Sequence, residues 1–193
     1  MYPFNLALAL IAFLATSVRC DSHVPFNTTG YIKIAPDVYV WNQTTGPTPN
    51  QFHDFSNIHC GQPQSWDSET INDHSPLLDD CQYLYNSIQT DEWNTSGIGP
   101  IEWALNDGST HVIAISRTCA FAAQALSAST VTWLGVEDMS IILNATIHQH
   151  AGKSSDGQWR AALVTGEDLC DAPEPGMPGG VHWTIYDATY QLS

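Results

Sequence analysis

The sequence predicts an α+β fold, a two-layer α/β sandwich in which a mostly antiparallel sheet is covered by two helices. Two stretches, 75–89 and 136–150, carry apolar residues at helical spacing. Around them, short runs alternate apolar and polar residues as half-buried strands do. Each kind of element has one apolar face, and a second layer is needed to bury it.

Taken in order, residues 1–20 read as a secretory leader. Residues 6–14 (LALALIAFL) form an uncharged apolar run too short to span a bilayer comfortably, and small residues follow. Lys and Arg are missing ahead of this run, a departure from the usual leader. Cleavage fits after Ser17 or after Cys20. No second run is long enough to span a membrane, and no apolar tail marks a lipid anchor, so a soluble, secreted, extracellular product without a stable membrane anchor is expected. Residues 21–58 read as an N-terminal extension with short strands at 31–34 (YIKI) and 38–41 (VYVW), either a hairpin or two edge strands. Residues 44–50 (TTGPTPN) are loop-like.

The main domain, 59–193, begins near Cys60. Residues 62–73 are polar and read as loop. In the first helix, Leu77, Leu78, Cys81, Leu84, Tyr85 and Ile88 make the apolar stripe. Ser75 suits a cap, Pro76 the first helical position, and Asp79 and Asp80 the positive end of the helix dipole. Residues 101–105 then alternate, Asn106-Asp107-Gly108 is a tight-hairpin signal, and 110–115 reads as the partner strand. Strands at 119–125 and 131–134 follow; the alanines of 119–125 also permit helix. The second helix places Met139, Ile142, Leu143, Thr146 and Ile147 on one face, Glu137 and Asp138 in its first turn, and Gly152 as a stop signal. A strand at 158–164, an irregular loop at 174–180 (EPGMPGG) and a strongly alternating strand at 181–186 complete the order.

The chain has five cysteines, at 20, 60, 81, 119 and 170. Removal of Cys20 with the leader leaves an even set suited to two disulfides. Cys81 on the inner helix face pairs best with Cys119 in the strand region, leaving Cys60 for Cys170. Four cysteines permit three pairings, and sequence alone does not choose.

With Lys+Arg 5 against Asp+Glu 20 and a net charge of -15, the chain is poorly suited to nucleic acid or to anionic lipid. Four Asn-x-Ser/Thr sequons make Asn27, Asn42, Asn94 and Asn144 glycosylation candidates. No metal site or cofactor is expected. His148 and His150 are two apart on a helix and diverge, while His53 and His59 lie in a loop. No G-x-S-x-G elbow is present, the four framework cysteines are better used in bridges, and each acidic pair has a sufficient role at a helix start, so no catalytic residue is assigned. Of the tryptophans, Trp103, Trp133 and Trp183 alternate with polar neighbours and read as core. Trp66 and Trp93 fall in loops and are the binding candidates.

Several segments form an ordered set: Cys60-Gly61, Ser75-Pro76-Leu77-Leu78-Asp79-Asp80-Cys81, Cys119-Ala120-Phe121, 138–147, Cys170, and Val181-His182-Trp183-Thr184-Ile185-Tyr186-Asp187. Over about residues 59–187 this set resembles the fungal necrosis-inducing factor domain, the homologues of the Cladosporium extracellular protein two effector. The resemblance implies a secreted, disulfide-stabilised effector with a fold like that of a small smut-fungus killer toxin. It also implies a non-enzymatic action on a host or competing cell, through an unknown cell-surface component, protein or glycan. The related toxin is basic and is associated with a lysine-dependent block of calcium channels. Here Lys33, Lys153, Arg117 and Arg160 are the only Lys and Arg after the leader, so no channel-contact residue carries over. The alternatives are a secreted cell-wall glycan-binding protein or hydrolase, and a killer-toxin-like channel inhibitor.

Overall fold

The computed structural model describes residues 27–43, 60–61, 63, 65–90, 102–170 and 179–190. The leader, Asn94, Trp93, His53, His59 and most of the 174–180 loop lie outside the described residues. Strands β1 (Tyr31–Ala35), β2 (Val38–Trp41) and β3 (Ser65–Ser68) precede helix α1 (Leu78–Ile88). Strands β4 (Glu102–Leu105), β5 (His111–Ser116), β6 (Cys119–Ala125) and β7 (Thr132–Gly135) lead into helix α2 (Val136–Gln149). Strands β8 (Ala151–Lys153), β9 (Trp159–Ala161), β10 (Val164–Cys170) and β11 (Gly179–Asp187) follow. The fold is α+β.

Seven strands form one sheet in the order β1-β2-β5-β6-β11-β10-β3, with every pairing antiparallel. Alternation decides which residues enter the core. Val38, Val40, Phe121, Trp183 and Ile185 face the same buried cluster as Leu84 and Ile88 of α1 and Met139, Ile142 and Leu143 of α2. The opposite face carries a smaller cluster of Ile115, Ala120, Ala122 and Tyr186, with Tyr39, Val112 and Leu163 against it. Burial, with Tyr31 nearby, pushes the Tyr186 hydroxyl up to about 12.

Two disulfides staple this frame. Cys81 of α1 is joined to Cys119 of β6, and Cys60 to Cys170 at the end of β10. The Cys60 N–H also donates to the Asp138 carboxylate (3.1 Å), which reaches back to the Gly135 N–H (2.8 Å) at the start of α2.

The structure corrects several local expectations. The Asn106-Asp107-Gly108 turn does not pair its flanking strands. β4 pairs with β7, because both edges of β5 are taken, by β2 and β6. Trp103 is fully buried with its indole N–H on the Trp41 carbonyl (3.0 Å). The Gln43 amide meanwhile pairs with both backbone groups of Ala104 as a neighbouring strand would. Residues 65–68, read as loop, form β3, which adds to the sheet along β10. The run 158–164 is split into β9 and β10, since the Ala161 N–H goes to the Pro76 carbonyl and the Ala162 N–H to the His150 carbonyl. Helix α2 ends at Gln149 with His150 as its C-cap, as expected to within a residue, and Gly152 just beyond it pairs with Arg160 inside β8. Gly179 and Gly180, assigned to the loop, open β11 opposite Cys170 and Leu169.

The start of α1 also differs. Leu77 occupies the cap position with no side-chain cap, and the Ser75 hydroxyl instead accepts the Asn72 N–H (3.1 Å). The helix start is satisfied from another element. Thr118 Oγ1 accepts the Leu77 N–H (2.9 Å) and donates to buried Asp80 (2.7 Å). Arg117 lies 3.5 Å from the same carboxylate and 3.4 Å from Asp37. Asp37 and Arg117 both have positive φ, 58° and 52°, in the β1–β2 and β5–β6 turns, so this ion pair holds two strained turns side by side.

Candidate functional site

Trp66 is not a surface loop residue. It is half-buried in β3, stacked on His150 at 5.5 Å and edge-on to Trp183 at 4.9 Å. Trp66 and Trp183 are both cross-strand partners of Gly166. A Cβ at Gly166 would lie 2.2 Å from the Trp183 ring, so glycine is what lets the indole lie across β10. Trp66 therefore closes the edge of the core.

Among the described residues, the exposed tryptophan is Trp159, 55 % exposed at the start of β9. It faces Lys153 across the β8–β9 hairpin, with the ammonium 5.9 Å from the ring centroid. Its neighbour Arg160 turns the other way, with a side chain only 11 % exposed. Arg160 organises the hairpin from beneath. It donates to the Ser75 carbonyl, to Ser154 Oγ (3.2 Å) and to Asp156 Oδ2 (2.8 Å). Asp156 also accepts from the Ser154 hydroxyl and from the Gln158 N–H (2.8 Å). Ser154, then Arg160 and Gln158, hold the Asp156 carboxyl down to about 2. Gly157 supplies the positive φ (82°) that the turn needs. Ser155 donates to Asp73 (2.9 Å), and the Ala161 N–H to Pro76, so the hairpin is fixed to the segment that enters α1.

The result is a flat apolar ring with a cation beside it, on a turn whose polar groups are largely committed to holding it. Such a ring can stack on a sugar face or fill an apolar pocket of a partner protein. The Asp156-Gly157 turn signal between Lys153 and Trp159 is the mark in the sequence that could have located it.

The other named residues are distributed through the frame. Asn27 and Asn144 are exposed, and Asn42 is half-buried. Asp80 and Asp138 are buried and bound to neighbouring elements, while Asp79 and Glu137 are exposed. Among the described residues, no group of three or more His, Cys, Asp or Glu is placed to hold a metal ion.

A family model, Hce2, described as "Pathogen effector; putative necrosis-inducing factor", matches residues 59–167. The matched span contains Cys60, Cys81, Cys119, both helices and the Trp159 hairpin, and stops before Cys170 and β11. No curated protein sequence matches the chain.

Proposed function

Because the chain belongs to the Hce2 family of pathogen effectors, we propose that it is a secreted effector that acts by binding, without catalysis. Its target is a protein or glycan on the surface of a host or competing cell, and its outcome is necrosis or altered defence. The observation that carries the binding reading is Trp159, held exposed on a hairpin braced by Arg160 and Asp156. An exposed indole loses little conformational entropy on contact and gains a large apolar area. We further read the helix-covered sheet as a killer-toxin-like sandwich. In support, both helices and the inner sheet residues share one core cluster.

A lysine-dependent channel block is the weaker reading. Lys33 lies over Tyr39 and Lys153 over Trp159, while Arg117 and Arg160 are engaged with carboxylates. The exposed indole favours glycan binding as the second reading, since sugar faces stack on such rings.

The test is infiltration of oxidised wild-type protein and Trp159→Ala into responsive tissue. The variant is expected to keep its thermal midpoint, because an exposed side chain contributes within about 0.5 kcal/mol. Its response should fall at least tenfold. A response equal to wild type would remove the hairpin from the contact surface. Cleavage products on a panel of cell-wall glycans would overturn the non-enzymatic reading.

A further inference from the structure

We propose that Asn144 carries an N-linked glycan on the outward stripe of α2, and that the glycan is added before the domain folds. Asn144 lies on the solvent side of the helix with Glu137, Ile141 and His148, at spacings that share one face. Ile141 is 44 % exposed, an apolar side chain next to the glycan position. The same helix buries Met139, Ile142, Leu143 and Ile147, so a sugar chain on Asn144 disturbs no core contact.

The third residue of the sequon behaves differently. Thr146 is fully buried, and its hydroxyl donates to the Ile142 carbonyl at 2.9 Å. A glycosylating enzyme must bind that hydroxyl in an extended segment, whereas here it is locked inside a helix. Asn144 is thus open as a product and closed as a substrate. The order of events follows. The Asn144 Nδ2 attacks C1 of an oligosaccharide carried on a lipid pyrophosphate. The N–C bond forms, the C1–O bond breaks, the lipid pyrophosphate leaves and the amide gives up a proton, all on the unfolded chain. The helix then closes over Thr146.

Asn27 provides an internal contrast. It is exposed, its Oδ1 accepts the Thr29 N–H (3.0 Å), and both Thr28 and Thr29 are exposed, so its sequon stays open after folding. The proposal is independent of the effector reading, because it concerns only passage through a glycosylating compartment.

The experiment uses the full chain behind a host secretion leader in a eukaryotic host. Secreted protein is treated with an amidase that releases N-glycans in heavy-oxygen water and mapped by mass spectrometry. Conversion of Asn144 to labelled Asp is the expected result, and Asn144→Gln should lower the intact mass by one glycan. In parallel, unglycosylated protein made in bacteria is offered to a purified oligosaccharyltransferase with its lipid-linked donor, either reduced and unfolded or oxidised and folded. The unfolded chain should accept a glycan at Asn144 at least tenfold more than the folded one, with a smaller ratio at Asn27. Unmodified Asn144 in the secreted protein would overturn the site. Equal transfer to folded and unfolded chains would overturn the order.

Discussion

Trp66 and Trp159 have similar sequence surroundings. Each has an Asp within three residues and polar residues on both sides, and each lies in a short strand. Their environments are opposite. Trp66 lies against His150 and Trp183, above a glycine that makes room for the rings. Trp159 has Lys153 and solvent. The difference does not come from the tryptophans. It comes from β3 joining a large sheet, where β11 supplies a second indole across Gly166 of the intervening β10. β8 and β9 form a separate two-stranded sheet, tied to the chain before α1 by a single β-bridge at Leu77. An aromatic side chain becomes core or contact surface according to what pairs with its strand.

The contrast can be broken first at Trp66. Trp66→Ala removes a half-buried indole from the Trp183 edge, and a loss of about 2–4 kcal/mol in unfolding free energy is expected, below the range for full burial. Urea unfolding followed by circular dichroism measures it. A loss no larger than that of Trp159→Ala would mean that the two rings are equivalent after all.

Arg160 comes next. Arg160→Met keeps the aliphatic bulk but removes one donor each from the Ser75 carbonyl, Ser154 Oγ and Asp156 Oδ2. About 1–2 kcal/mol of stability should be lost. The anisotropy of the Trp159 emission, isolated by difference from Trp159→Phe, should fall as the hairpin loosens, a change that a uniformly destabilised fold would not show well below its unfolding midpoint.

The smallest effect is expected from acid. The Asp156 carboxyl is held down to about 2 in the folded hairpin, against an ordinary 3.8. A depressed carboxylate contributes its full stabilisation above the unfolded value and loses it as pH falls through the folded one. The hairpin should therefore hold at pH 5 and loosen between about pH 4 and pH 2. The part of the emission lost in Trp159→Phe should report this limb, and Asp156→Asn should abolish it. The part lost in Trp66→Phe should be flat over the same range until global unfolding.

Much of the fold was legible because its periods are local. The stripe Cys81-Leu84-Ile88 and the alternation Val181-Trp183-Ile185 each follow from the geometry of one element, and those residues are buried. Strand partnership was less legible. Which strand lies beside β5 depends on β2, some seventy residues earlier, and an Asp-Gly turn cannot announce that its flanking strand has been displaced. Trp66, read as a loop residue, lies half-buried in β3 for the same reason. The loop character of 62–73 hid β3, and the apolar run 161–164 hid the end of β9. Polarity describes a segment, whereas exposure depends on what packs against it. The cap of α1 shows the point on a smaller scale, since Thr118 supplies from another element what Ser75 was placed to give.

The engagement of the cations bears on how far the molecule can travel. Each Lys and Arg among the described residues rests against a ring or a carboxylate: Lys33, Arg117, Lys153 and Arg160. The chain as a whole carries a charge of -15. A polyanionic gel retards proteins through cations free to reach its fixed charges, and it excludes co-ions over roughly the Debye length, about 10 Å at 0.1 M salt. A protein of this charge, whose described cations each already face one of its own rings or carboxylates, is expected to pass through such a matrix with little adsorption. Its diffusion range is then set by pore size and salt, and capture occurs only where a specific contact forms.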